Sequence, residues 1–210
     1  MSDTRKVLRV SGPDTEHFLQ GLVTNDVALL KDGLVYAALL TPQGKYRADF
    51  FLVPDGEDIL VDVAEGLYQG LAKALTMYKL RAKVTISETD ITVARGPGPA
   101  PEGAYADPRD PRMGWRAYDG RPDESADWDA LRVAACVPES GIELTPDTFI
   151  LEAGFERLHG VDFRKGCYVG QEVTARMKHK VELRKGLVTV EVNGAAPVGS
   201  EITAGEKAAG

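Results

Sequence analysis

The chain has 210 residues, and its 25 Lys and Arg against 32 Asp and Glu give a net charge of −7. That length suffices for a sizeable core in one domain or two small ones, and the acidic balance argues against nonspecific binding to nucleic acid or an anionic membrane. Cys136 and Cys167 have no framework spacing, no apolar run approaches membrane-spanning length, and the first residues lack the apolar centre of a signal peptide, so a cytoplasmic protein in a reducing compartment is expected.

In chain order, Lys6 to Val10 alternates as a short strand. A helix follows from Gly12-Pro13-Asp14-Thr15-Glu16, with proline near its first position, acids in its first turn, and Phe18, Leu19 and Leu22 on one face. Leu34 to Thr41 and Tyr46 to Val53 read as antiparallel strands joined by a turn at Pro42-Gln43-Gly44-Lys45. A second turn at Pro54-Asp55-Gly56 leads to a strand at Ile59 to Val63. Leu67, Leu71, Ala74, Leu75 and Tyr78 recur at helical period and predict a helix from Glu65 to Leu80, followed by strands at Val84 to Ser87 and Ile91 to Ala94.

The run from Gly96 to Gly103 holds too much proline for a helix and too little apolar content to pack, so it reads as a linker or long surface loop. Asp107 to Arg112 is also irregular, before a strand at Gly114 to Tyr118. A helix is expected from Ala126 to Val137, capped by Ser125 or nearby acids, with Cys136 in the core at its apolar end. Arg184 to Val192 is a β run that Asn193-Gly194 turns towards a further strand at Val198 to Thr203. The fold class is α+β with antiparallel or mixed sheets and packed helices. The chain divides into an N-terminal α+β region (1–95), the Gly/Pro-rich linker (96–112), a second α+β region (113–183) and the start of a β-barrel (184–210).

The octapeptide Lys165-Gly166-Cys167-Tyr168-Val169-Gly170-Gln171-Glu172 carries the strongest chemical signal. Its thiol lies between cations and glycines, where Arg164, Lys165 and the positive end of a helix starting near Gly170 favour the thiolate. An isolated cysteine is more often inert core, but this flanking pattern favours a reactive or ligating sulfur. Arg176, Lys178, His179, Lys180, Arg184 and Lys185 add positive charge around it, either as an anion-attracting site or as a solvated face.

This octapeptide, continued through Val173-Thr174-Ala175-Arg176, resembles the signature of the YgfZ-type, folate-binding relatives of the glycine-cleavage T-protein, in their iron-sulfur cluster assembly branch. Three further segments are similar to that family in the same order: Val10 to Asp14 with Phe18 to Asp26, Leu39 to Lys45, and Tyr78-Lys79-Leu80-Arg81. The resemblance implies a T-protein-like fold, a tetrahydrofolate pocket and a small C-terminal β-barrel, of which this chain holds two strands. A pterin needs fixed donors and acceptors, and its glutamate tail needs cations.

The resemblance makes Asp49, Glu152, Arg81, Arg116, Tyr168, Gln171 and Glu172 candidate folate contacts, with Lys79 beside them, and makes Cys167, Lys165 and Asp49 candidate catalytic residues. Asp49 is similar to the acid that T-proteins place against folate, but this chain has Ala48-Asp49 where T-proteins carry paired acids, which speaks against aminomethyl transfer. Asp49 is otherwise a solvent-facing strand carboxylate, and Glu152 a helix brace. A cluster requires about four cysteine ligands; the two here, with His17, His159 and His179 lacking ligand spacing, predict no stably bound metal.

The leading expectation is a tetrahydrofolate-binding accessory factor for iron-sulfur enzymes, whose partners are folate and iron-sulfur proteins or their assembly factors, without nucleic acid or membrane. The alternatives are a tetrahydrofolate-dependent aminomethyltransferase and a non-catalytic interaction module.

Overall fold

The structure, a computed structural model, describes residues 4–180, 185–197, 199–205 and 207–208. Its centre is a five-stranded antiparallel sheet built from β1 (Arg5–Ser11), β2 (Val35–Leu40), β3 (Tyr46–Asp55), β4 (Asp58–Ala64) and β5 (Thr85–Glu88), in the order β2-β3-β4-β1-β5. All six residues of β2 are buried, because both faces of the sheet are covered; such strands read as near-continuous apolar runs instead of alternating.

One face, carrying Ala37, Leu39, Phe50, Leu52, Val61 and Val63, packs under α1 (Thr15–Gln20) and α2 (Glu65–Lys79) through Phe18, Leu19, Leu71 and Leu75. The opposite face, carrying Tyr36, Ala38, Leu40, Phe51 and Leu60, is covered by the later chain through Ala135, Val137, Ile150, Phe155, Leu158 and Tyr168. Leu39 pairs with Ala48 but Leu40 with Tyr46, a bulge that brings Tyr46 onto this second face.

A small sheet of β6 (Ala94–Gly96), β7 (Tyr105–Ala106) and β8 (Trp115–Ala117) has the order β6-β8-β7. The strand expected from Ile91 begins only at Ala94, after an irregular stretch in which Ile91 and Val93 pack onto the core as side chains. The expected helix over Ala126–Val137 shortens to α3 (Trp128–Ala134), capped by Asp127, whose carboxylate accepts from Ala130 N at 3.0 Å. Ser125 is not its cap. Cys136 ends that helix at φ 51° and is half-buried, its Sγ 3.6 Å from the Leu187 carbonyl, so it is a partly exposed helix terminator and not core.

The last helix, α4, spans Gln171–Lys180. Beyond it the expected strand from Arg184 to Val192 is absent among the described residues: 185–192 form no strand, and Val188, Val190 and Val192 are exposed. A β run without a neighbouring strand has no ladder to join. Arg184 and Val198 lie outside the described residues, and residues 199–202 of the other expected strand are irregular, leaving a minimal pair of β9 (Thr203–Ala204) and β10 (Lys207–Ala208).

Candidate functional site

The segment Phe18 to Asp26 ends in Thr24-Asn25-Asp26, of which the fold buries the first two and leaves Asp26 half-buried. Thr24 Oγ1 donates to the Gly160 carbonyl at 2.7 Å and accepts from Ala38 N at 2.8 Å. Asn25 Nδ2 donates to the carbonyls of Tyr36 and His159 at 2.8 and 2.7 Å. Buried polar groups require such partners, so Thr24 and Asn25 fix how residues 159–165 lie on the sheet.

Asp162 continues the joint: its N–H donates to the Thr24 carbonyl at 3.0 Å, and its Oδ1 accepts from Arg164 N at 2.5 Å and Lys165 N at 3.0 Å. Lys165 then turns inward. Its Nζ donates to the carbonyls of Val23 and Asn25 at 2.6 and 2.7 Å and lies 5.3 Å from the Tyr168 ring centroid. Burial pushes this ammonium down to about 8, against the opposing pull of Asp26 and Asp162. Lys165, expected to be catalytic, is thus the buried post of the signature loop.

Tyr168 is the other post, packed on the second face of the sheet, and burial pushes its hydroxyl up to about 12. The loop closes through Gln171, whose N–H donates to the Tyr168 carbonyl at 3.2 Å and whose Nε2 reaches the Gly166 carbonyl at 3.4 Å. At φ 83°, Gly170 abuts the Pro42-to-Lys45 turn, and an added Cβ would lie 2.6 Å from the Thr41 carbonyl oxygen. Gly44, at φ 74°, meets α4 so closely that its Cβ would lie 2.7 Å from Val173 Cβ. Two segments singled out separately in the sequence therefore form one joint, in which only glycine leaves room.

Between the two posts, Cys167 is exposed. Glu172 is also exposed and pairs with Arg176 at 2.9 Å. The arrangement presents a thiol outward from a stem whose flanks are held by the core, geometry that suits nucleophilic attack or transient ligation by its sulfur.

Asp49 lies elsewhere. It is buried, and its carboxylate accepts from Tyr46 and Ser140 hydroxyls at 2.6 Å each and from Tyr36 at 3.0 Å, so the solvent-facing alternative does not hold. Arg116 is buried between Asp62 and Asp107, 3.3 Å from each, and does not stand at a pocket mouth. Arg81 is exposed just beyond α2, with Lys79 closing that helix. Glu152 is half-buried and lines a cleft of about 340 Å³ with Thr145, Thr148 and Lys185.

Asp107 and Arg109, in a stretch expected to be irregular, are buried together. Arg109 grips Asp107 with Nε and Nη2 at 2.9 and 2.7 Å. Arg5, Arg109 and Arg116 stand 5.7, 4.7 and 4.0 Å from the Phe51 ring centroid, giving three cations around one phenyl group. The alternation of acids and arginines from Asp107 to Arg112 was the available signal.

No family model matches the chain. Curated relatives do, among them an iron-sulfur cluster assembly factor IBA57 homolog of Mycosarcoma maydis, 33% identical over 88% of this chain and 54% of its own length; IBA57 of Mus musculus, 31% identical over 93% and 66%; and IBA57 of Homo sapiens, 31% identical over 90% and 64%. The chain thus spans between about half and two thirds of the length of these relatives. Among solved structures it is similar to the glycine cleavage system aminomethyltransferase T of Bartonella henselae, with TM-score 0.41 and 22% identity over 43% of this chain and 26% of that one. All three IBA57 relatives are named mitochondrial, which overturns the expectation of a cytoplasmic protein. That expectation rested on a missing apolar signal core, whereas mitochondrial targeting segments are amphipathic and Arg-rich. With identity spread over about nine-tenths of its length, the chain belongs to the family of the IBA57 proteins, the iron-sulfur branch of the YgfZ-type T-protein relatives.

Proposed function

We propose that this chain serves as a tetrahydrofolate-linked accessory factor in the assembly or maintenance of iron-sulfur enzymes, with Cys167 as its working atom. The observation that carries this reading is an exposed thiol held between the buried anchors Lys165 and Tyr168. The matched relatives are named iron-sulfur cluster assembly factors, which supports the same reading. Two cysteines fall short of the four thiolates of an ordinary cluster site, so a cluster here is cargo met together with a partner's ligands.

In cells lacking the native factor, the wild-type gene is expected to restore iron-sulfur enzyme activity, and Cys167→Ala to leave it at the deletion level with an unchanged thermal midpoint. Thiol titration of the folded wild type should show one fast-reacting cysteine that the variant lacks. Full rescue by Cys167→Ala would remove the thiol from the mechanism.

Tetrahydrofolate enters this reading through the resemblance, and the two acids differ in how well they suit it. Asp49 already has three of about four acceptor positions filled by hydroxyls and is closed in by them, which does not fit a pterin contact. That closure also weakens the aminomethyltransferase alternative, which requires this acid to face the one-carbon carrier. The cleft at Glu152 does fit in kind, with a carboxylate for pterin N–H donors and Lys185 for a glutamate tail. Calorimetry is expected to show saturable tetrahydrofolate binding that Glu152→Gln weakens about tenfold, the loss of one charge-assisted bond. A heatless titration of the wild type would remove folate while leaving the role of Cys167 standing.

A further inference from the structure

A larger cleft, of about 800 Å³, opens between the start of α1, the 3-10 turn Val27–Asp32 and the β3–β4 hairpin. It shares no lining residue with the signature loop. Its floor is apolar, with Val27 and Ile59 buried and Leu30 beside them, and Leu29 on the same 3-10 turn is 41% exposed. Thr15 also lines it; this residue is 2% exposed, and its Oγ1 has no hydrogen-bond partner among the described residues. A buried hydroxyl without a partner is costly, and a ligand that supplied one would recover that cost.

The charges around the cleft are unequal. Asp58, 3.0 Å from Arg9, shares that cation with Asp55. Exposed Glu16, Glu57 and Lys31 form no ion pair among the described residues, leaving two free acids against one free lysine. An apolar floor with an acidic surround favours an apolar group attached to a cation, and a cleft of this volume lies in the range of specific ligand sites.

We propose that this cleft docks a peptide segment of a protein partner, one in which an apolar side chain is flanked by lysine or arginine. The apolar side chain covers Val27, Leu30 and Ile59, the basic neighbours face Glu16 and Glu57, and the peptide main chain meets the Thr15 hydroxyl.

The test uses the full chain and a fluorescein-labelled peptide of paired leucines and lysines, followed by anisotropy at low and physiological salt. Saturable binding is expected, weakened by salt and by about tenfold or more in the double variant Glu16→Lys/Glu57→Lys, which alters exposed residues alone and lowers the thermal midpoint only by the small cost of a cation in the first turn of α1. Thr15→Val, close in shape, should retain the fold and bind severalfold more weakly. Absence of saturable binding at low salt overturns the proposal, as does equal binding by the charge-reversed variant or by Thr15→Val. A lysine-to-glutamate version of the peptide that binds as tightly as the original also overturns it.

Discussion

Lys165→Met is expected to lower the unfolding free energy by about 2–3 kcal/mol, measured by denaturant titration. The substitution keeps the aliphatic stem against Tyr168 but removes both donors to Val23 and Asn25, leaving two acceptors in a joint closed to water. Charged hydrogen bonds are worth about 1.5–3 kcal/mol each, and relief from burying the ammonium offsets part of that loss.

The pH dependence of this contribution has a definite sign. Burial holds the folded-state value near 8, below the ordinary 10.5. Under acidic and neutral conditions the amine is charged in both states. Between about 8 and 10.5 the folded chain releases its proton while the unfolded chain keeps it, so stability from this group rises with pH and then levels. A neutral amine retains two N–H groups, enough for both carbonyls. The stability difference between wild type and Lys165→Met should therefore widen through that window; a difference that narrows would show that the ammonium itself holds the joint.

Asp62→Asn is expected to have the larger effect, about 3–5 kcal/mol, the range for removing one partner of a buried ion pair. Asp62 is fully buried and accepts from Arg5 Nε at 2.7 Å, Tyr118 at 2.9 Å and Arg116 Nη1 at 3.3 Å. An amide of the same shape takes the counter-charge away from the two guanidiniums beside Phe51. Adding Arg116→Met should recover part of the loss, since a buried charge and its deficit then leave together. A double variant less stable than the sum of the two single changes would refute that coupling.

The same network sets an acid limit. Burial alone raises Asp107, but Arg109 by charge and hydrogen bonding, helped by Arg116, outweighs it and holds the carboxyl below its ordinary 3.8. Its contribution is complete above the ordinary carboxylate range and disappears as pH falls through the lowered value.

Strands β1 to β4 and helix α2 were legible in the sequence because their apolar runs and turn residues agree with one another. The signature was legible too, and its Cys167 is exposed. Lys165 and Asp49 were harder to read. A lysine next to a cysteine in sequence looks like its electrostatic partner, yet a loop turns successive side chains in different directions, and this one enters the core. Asp49 lies on a strand whose second face the later chain covers, a fact that no local pattern around it records.

The sequence alone determined the central sheet, the helix that follows it and the loop carrying the thiol, since periodicity, turn chemistry and glycine placement are local properties. Tertiary structure decided which polar residues became internal joints: Thr24 and Asn25 lock onto residues 159, 160 and 162, three arginines paired with Asp62 and Asp107 surround Phe51, and Ser140 closes over Asp49. It also left the valines from 188 to 192 exposed. Both outcomes have one physical cause: a polar or β-forming residue finds its partner across long stretches of chain, and that partner exists only once the chain has folded.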